Sequence, residues 1–209
     1  MAERKRRTKA KTVRRYHHGN LRKTLLDAAE AELAEKGIEG FSLRAIAKRA
    51  GVSHAAPAHH FRDVKGLLTA LAADGFSRFL ATQKARQSLA GGNSHNQLVA
   101  AGLGYIEFAL THPALFRLMF SSDRPDFGDP ALGKAAGEAF GALAEDVKRV
   151  TGADPYRSPT GMLDVMAAWS IAHGLADLMN SGRLRALLEL PETQKDDALK
   201  SIIGRVVGA

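Results

Sequence analysis

The sequence contains no cysteine. Disulfide cross-links, thiolate nucleophiles and thiolate metal sites are therefore all excluded, and a cytoplasmic protein fits that absence. Strand-like patterning is also missing, since no stretch alternates apolar and polar residues convincingly. Long hydrophobic runs are lacking too. The longest charge-free apolar one, Val165 to Ala176, is too short to span a bilayer, so no membrane partner is expected. Residues 1–15 are basic, but no apolar stretch follows them and no secretory signal is read there.

What is present suits a soluble helical protein. The 209 residues are 45% hydrophobic and 25% charged, enough to bury a core in one large domain or in a small one fused to a medium one. The net charge of +8 is unevenly spread. Residues 1–15 hold eight Lys/Arg and one acid (+7), residues 16–68 eight and six (+2), and residues 69–209 fourteen and fifteen (−1). A polyanion would therefore meet the first third of the chain. Taken alone, a basic tail is equally compatible with a solvated segment that binds nothing.

Residues 1–15 cannot bury anything and are expected to form a disordered basic tail. Helical spacing begins at His18. Asn20 is placed to cap a first helix carrying Leu21, Leu25, Ala28, Ala29 and Leu33, stopped by Gly37. Ser42 caps a short helix ended by Gly51, a third follows Ser53, and a longer one runs from about Asp63 to about Arg86. After the Gly91-Gly92-Asn93 break, helices are expected from Ser94 to Leu110, from Pro113 to Phe120, from about Ala131 to Val150, from Pro159 to Asn180 behind Ser158, and from Pro191 onward.

The run Leu43 to Phe61, LRAIAKRAGVSHAAPAHHF, carries the strongest functional pattern. Ala47 is small enough for a helix crossing, Gly51 suits a turn at positive φ, Ile46, Ala50 and Val52 are apolar anchors, and Ser53 caps the second helix. A generic helical hairpin would share some of these features. Their joint spacing favours a helix-turn-helix.

These residues resemble the TetR-type (TetR/AcrR) transcriptional regulators. The resemblance runs from Asn20 to Leu68 through Lys36-Gly37, Phe41-Ser42-Leu43-Arg44, Ile46-Ala47, Ala50-Gly51-Val52-Ser53, His59-His60-Phe61 and Leu67-Leu68. In the back half, Ala168-Trp169-Ser170-Ile171-Ala172-His173-Gly174-Leu175 and His112-Pro113-Ala114-Leu115-Phe116 are similar to a Trp-His-Gly class of C-terminal domain. The resemblance implies an all-α protein: a three-helix head at residues 16–65, and a helical ligand-binding and dimerisation domain at 66–209. It also implies DNA contacts from Ser42, Arg44, Ser53, His54, Ala55, Ala56, His59, His60 and Lys65, with the second helix of the motif in the major groove. Two departures remove contacts: Pro57-Ala58 stands where the family usually has a bulky residue and Tyr, and Val64 where it favours Lys. The basic tail would compensate.

Further back, the helix from Pro159 to Asn180 is apolar on two sides, with Met162, Met166, Trp169 and His173 on one and Leu163, Ala167, Ser170, Gly174 and Leu178 on the other. Ala198, Leu199, Ile202, Ile203, Val206 and Val207 form a stripe on the last helix. The resemblance implies that these two helices pair with their copies in a homodimer. Tyr105, Phe108, Phe116, Met119, Phe120, Met166, Trp169 and His173 would line a cavity for a small, largely apolar effector, although core packing explains most of them equally well.

The expected function is thus sequence-specific binding of a double-stranded operator, as a repressor released by that effector. Two alternatives stay open. A nonspecific nucleoid-type DNA-binding protein has no use for a long neutral back half. An all-helical enzyme needs a nucleophile, acid pair or metal set, and none appears with useful spacing. Asp123, Asp126 and Asp129 sit together in a Pro/Gly loop where solvation accounts for them. The histidines His54, His59 and His60 lack a nearby carboxylate to complete a metal set. No cofactor is expected.

Overall fold

One longer helix and two short ones open the fold, and the turns between them are set by individual residues. The computed structural model describes residues 18–205, with side chains from residue 21 onward; the basic tail, Val206 and Val207 lie outside the described residues. Helix α1 spans His18–Lys36, α2 Leu43–Ala50 and α3 Ala56–Phe61. Helix α1 starts two residues before Asn20, so that residue lies inside the first turn. A capping residue ends a helix only where its predecessors leave helical geometry, and His18-Gly19 does not.

Ser42, extended at φ −144°, caps α2 by accepting from the Ala45 N–H at 3.3 Å. The other end of α2 closes on Gly51 at φ 68°. There the Gly51 N–H donates to the Lys48 carbonyl and the Val52 N–H to the Ala47 carbonyl (3.0 Å), the paired bonds of a Schellman cap. This turn aims α3 away from α2. Arg49 ties α2 back to α1 by reaching both Glu32 and Glu35.

Ser53 does not cap α3. Its place is taken by Ala55, which offers no side-chain acceptor. The cause is Pro57, which has no N–H to give to the Ser53 carbonyl. That carbonyl accepts instead from Ala56, one residue nearer (3.0 Å), and the helix starts later. Pro57 itself is buried under the motif.

The joint between α3 and the next helix, α4 (Val64–Ser88), is tight. Arg62 is the only non-glycine at positive φ among the described residues (φ 72°, ψ −62°). Around it the Asp63 N–H donates to the Phe61 carbonyl (2.9 Å), closing a three-residue γ-turn. Asp63 then caps α4 through the Gly66 N–H at 2.8 Å. A Cβ on Gly66 would lie 2.0 Å from the Phe61 carbonyl oxygen, so only glycine lets α3 sit this close.

The remaining elements are α5 (Ser94–Thr111), α6 (Pro113–Phe120), α7 (Pro130–Thr151), α8 (Pro159–Asn180), α9 (Arg185–Leu188) and α10 (Glu192–Gly204). Asn93, Asp129 and Ser158 cap α5, α7 and α8 with side-chain oxygens. The short α9 adds a turn that the sequence pattern does not reveal, because four residues carry no period. Helix α4 is the spine: it lies along α5 and α7, touches α6 and α1, and meets α3 at its N-terminal end. One apolar cluster, with Leu25, Ile46, Leu67, Leu71, Ile106, Leu115 and Leu132 essentially inaccessible, runs from the head into the back half. Each such side chain contributes about 1.5–3 kcal/mol of burial. Among the described residues no single helix is long and apolar enough to cross a membrane.

The two glycines separate strain from collision. Gly51→Ala meets nothing within 4 Å and is expected to cost only the left-handed backbone penalty of about 1–2 kcal/mol. Gly66→Ala is expected to cost more, since the α3–α4 joint must open. Denaturant unfolding of both variants checks the ranking, and the reverse order would contradict this account of the joint.

Candidate nucleic-acid interface and internal cavity

The outer surface of α2 and of the turn into α3 is basic. Ser42, Arg44, Ala45, Lys48 and His54 line one shallow concavity of about 530 Å³. Arg44 and Lys48 stand one turn apart on α2, both exposed, and neither forms an ion pair among the described residues. Lys48 was not singled out from the sequence; its spacing of four from Arg44 is the signal that places it on the same face. Ser53, His54, Ala55 and His59 are exposed, while Ala56 and His60 are half-buried. The His59 and His60 rings meet edge to face at 5.6 Å. Behind them Phe61 is buried, with the Arg22 guanidinium 5.3 Å over its ring. Lys65 stands apart, its ammonium 3.6 Å from the Asp126 carboxylate in the α6–α7 loop.

A helix-turn-helix with unpaired basic side chains on its outer face is a geometry for meeting phosphates, and comparison with known proteins identifies the family. Residues 25–71 match the model of bacterial regulatory proteins of the tetR family, and residues 98–204 match the tetracyclin repressor-like C-terminal domain. The chain belongs to the tetR family. It is 28% identical over 172 residues to the HTH-type transcriptional regulator BetI of Cronobacter sakazakii (strain ATCC BAA-894), covering 80% of this chain and 79% of that protein. A structure of a protein of unknown function from Rhodococcus sp. RHA1 is 30% identical and superposes with a TM-score of 0.76, covering 94% of this chain and all of that one. A TetR-like transcriptional regulator from the same organism shares the fold at 20% identity, with a TM-score of 0.64 and coverage of 93% and 100%. The protein is thus an all-α transcriptional regulator of the tetR type with a DNA-binding helix-turn-helix, and that family's members are not enzymes.

The back half of this tetR-family chain encloses a cavity of about 800 Å³, walled by α4, α5, α7 and α8 and bordered by the end of α6 and the loop after it. Four of the eight residues expected from the sequence line it: Tyr105, Met119, Phe120 and Trp169. The other four stand elsewhere. Phe108 and Phe116 are core residues, packed edge to face on Phe79 and Tyr105 respectively. His173 lies behind Tyr105, and Met166 is on the outer, exposed side of α8. A stripe of apolar residues on a helix shows that a face is covered but not by what, and α8 is covered differently along its length. Phe76, Phe79, Gln83, Phe127, Phe140 and Ile203 also line the cavity. Of these, Phe76, Phe79 and Gln83 follow helical spacing on α4 and were legible as one face.

One wall is fixed by a polar chain. The Trp169 Nε1–H donates to the Tyr105 hydroxyl at 3.3 Å, and that oxygen lies 2.7 Å from His173 Nδ1. With the Tyr105 hydroxyl donating to Nδ1, one oxygen serves both neighbours, accepting from Trp169 and donating to His173. Burial pushes the Tyr105 hydroxyl well above its ordinary pKa, outweighing the opposing Trp169 hydrogen bond, so the group stays neutral. Among the described residues no three His, Asp or Glu side chains converge on a metal site.

Tyr105→Phe breaks this network and leaves two half-buried partners, Trp169 and His173, without their shared oxygen. A loss of about 1–3 kcal/mol is expected in denaturant unfolding, together with a red-shifted Trp169 emission, because Trp169 is the only tryptophan. Unchanged stability and emission would show that the chain contributes nothing.

Proposed function

We propose that the protein is a homodimeric operator-binding repressor, released by a small, largely apolar effector that enters the cavity. The observation that carries this reading is the pair of unpaired bases, Arg44 and Lys48, beside Ser42 and His54 on the helix-turn-helix. On this reading residues 16–65 are the reading head and residues 66–209 the sensing and pairing domain, with residues 1–15 a basic tail on phosphate. Ser42, Arg44, Lys48 and Lys65 contact backbone, as do His59 and His60. Ser53, His54, Ala55 and Ala56 face base edges. Such a protein works where the genome is, in the cytoplasm.

Pairing is supported by what α8 and α10 leave open. Leu163 is 67% exposed, and Met166, Leu178 and Ile202 are 38% exposed. Four large apolar side chains on two adjacent helices favour a second copy as their cover. A two-fold dimer would bring two heads to half-sites roughly one DNA turn apart.

Coupling between cavity and head has a candidate route. Arg78, midway along α4, grips Glu30 of α1 with both arms (2.5 and 3.2 Å), and Glu30 also meets His112 at 2.8 Å. Burial pushes the Glu30 carboxyl up, but the bonds and charges of Arg78 and His112 outweigh it and its pKa is lowered. His112 precedes α6, whose Met119 and Phe120 line the cavity. An effector that displaces α6 or α4 therefore acts on α1. Near-complete release needs about 5.5 kcal/mol of differential binding.

Selection of bound duplexes from a random pool is expected to return a two-fold symmetric sequence. Against it, Arg44→Ala and Lys48→Ala should each weaken binding and reduce the salt slope by about 0.9 per lost contact. Leu163→Asp should sediment as a monomer and bind the operator poorly. Equal affinity for selected and bulk DNA would overturn the reading, and a dimeric Leu163→Asp would overturn the pairing face.

A further inference from the structure

Among the residues lining the cavity, one buried polar side chain has no partner among the described residues. Gln83 is only 7% exposed, lines the cavity from α4, and its carboxamide makes no hydrogen bond to any described residue. Its amide atoms also keep some accessible surface, so they border the cavity rather than solid packing. Gln83 is held firmly: Gly104 of α5 lies so close that a Cβ there would come within 2.7 Å of the Gln83 Cα. Buried amides are almost always paired, and an orphan at a cavity wall calls for a partner from a bound molecule.

Charge narrows that molecule further. No Lys, Arg or His lines the cavity, and the hydroxyl of Tyr105 is already engaged by Trp169 and His173. The single carboxylate is Asp123, exposed in the loop after α6, without an ion pair or hydrogen bond among the described residues. Its neighbour Arg124 turns away to Glu39 at 2.9 Å, and Asp126 is occupied by Lys65. Asp123 and the half-exposed Phe127 therefore mark the rim, whereas Phe76, Phe79 and Tyr105 are buried in the walls. An anionic ligand would meet a like charge on entry and no cation inside. A cation would meet Asp123 at the rim and ring faces beyond it.

We infer that the molecule this cavity takes is a hydrophobic organic cation, its ammonium end at Asp123 and a hydrogen-bonding group at Gln83, and that carboxylates are disfavoured. This rests on the reading of the cavity as the effector site, and adds the effector's chemical class. The rings supply the apolar sleeve, Asp123 selects the sign of charge, and Gln83 supplies a directional contact from the buried wall, away from the Ser121 and Ser122 hydroxyls near the rim.

Three matched probes test it, all below their micelle concentrations: n-decylammonium, n-decanol and n-decanoate. Binding is read from Trp169, the only tryptophan and a cavity wall. Decylammonium is expected to bind about ten-fold more tightly than decanoate, with decanol between them. Asp123→Asn, on an exposed loop, should collapse the ammonium–carboxylate gap. Gln83→Leu should weaken decanol about five-fold and leave that gap intact, with helicity and melting temperature checked alongside. Decanoate binding as tightly as decylammonium, a gap untouched by Asp123→Asn, or no response to any probe would each overturn the inference. Operator release is measured in the same series. Binding in the expected order without release leaves the cavity's chemistry standing and removes its role as effector site, whereas release by decanoate alone does the opposite.

Discussion

Helix α4 cannot be displaced at one end without consequence at the other, and the architecture hangs on that constraint. Its N-terminal turn is pinned by the Asp63 cap and by the collision-free approach that Gly66 allows beneath the Phe61 carbonyl. Its middle is pinned by Arg78, which holds Glu30 of α1. Its middle and later turns present Phe76, Phe79 and Gln83 to the cavity. A helix of 25 residues is a rod of roughly 37 Å. Because interiors are close-packed, a shift of the α4 wall of the cavity moves this rod as a unit. The fold thus places the cavity and the head on one mechanical element rather than on two domains joined by a linker.

The head has a chemical economy of its own. The second helix of its motif, α3, follows Ala55 and opens with Ala56, Pro57 and Ala58, side chains with little to offer a base edge. Pro57 also removes the bond that would start the helix at Ser53 and so shortens it to Ala56–Phe61. What remains exposed is charge and imidazole: Arg44, Lys48, His54 and His59. Affinity built this way leans on phosphates and is correspondingly sensitive to salt. The strained Arg62 turn completes the picture by fixing the angle between α3 and α4. A residue in that region costs about 1–3 kcal/mol and persists only where its surroundings over-determine it.

The cavity shows the opposite economy. Seven aromatic residues stand in its walls among aliphatic ones, and the hydroxyl among them, Tyr105, is consumed internally by Trp169 and His173. Those two residues, one turn apart on α8, therefore act mainly through α5, holding one wall against another. His173 stabilises the shape of the cavity without lining it, and Phe116 does the same from behind Tyr105.

Much was legible before any fold was known. Capping residues declare themselves locally, because one side chain and its neighbouring N–H groups decide a helix end; Ser42, Asp63, Asn93 and Ser158 all begin helices where the pattern expects them. Gly51 is legible for the same reason, since a left-handed turn tolerates few other residues. The family motifs around it identified an all-α regulator. Tertiary structure alone decided which apolar residues face a cavity and which face core or solvent. Phe108, Phe116 and Met166 share the chemistry of Met119 and Phe120, and nothing local distinguishes a residue covered by another helix from one covering empty space. The same holds for Gln83, Asp123 and Glu30: their meaning lies in partners that are far along the chain or missing, and helical periodicity records a covered face without naming what covers it.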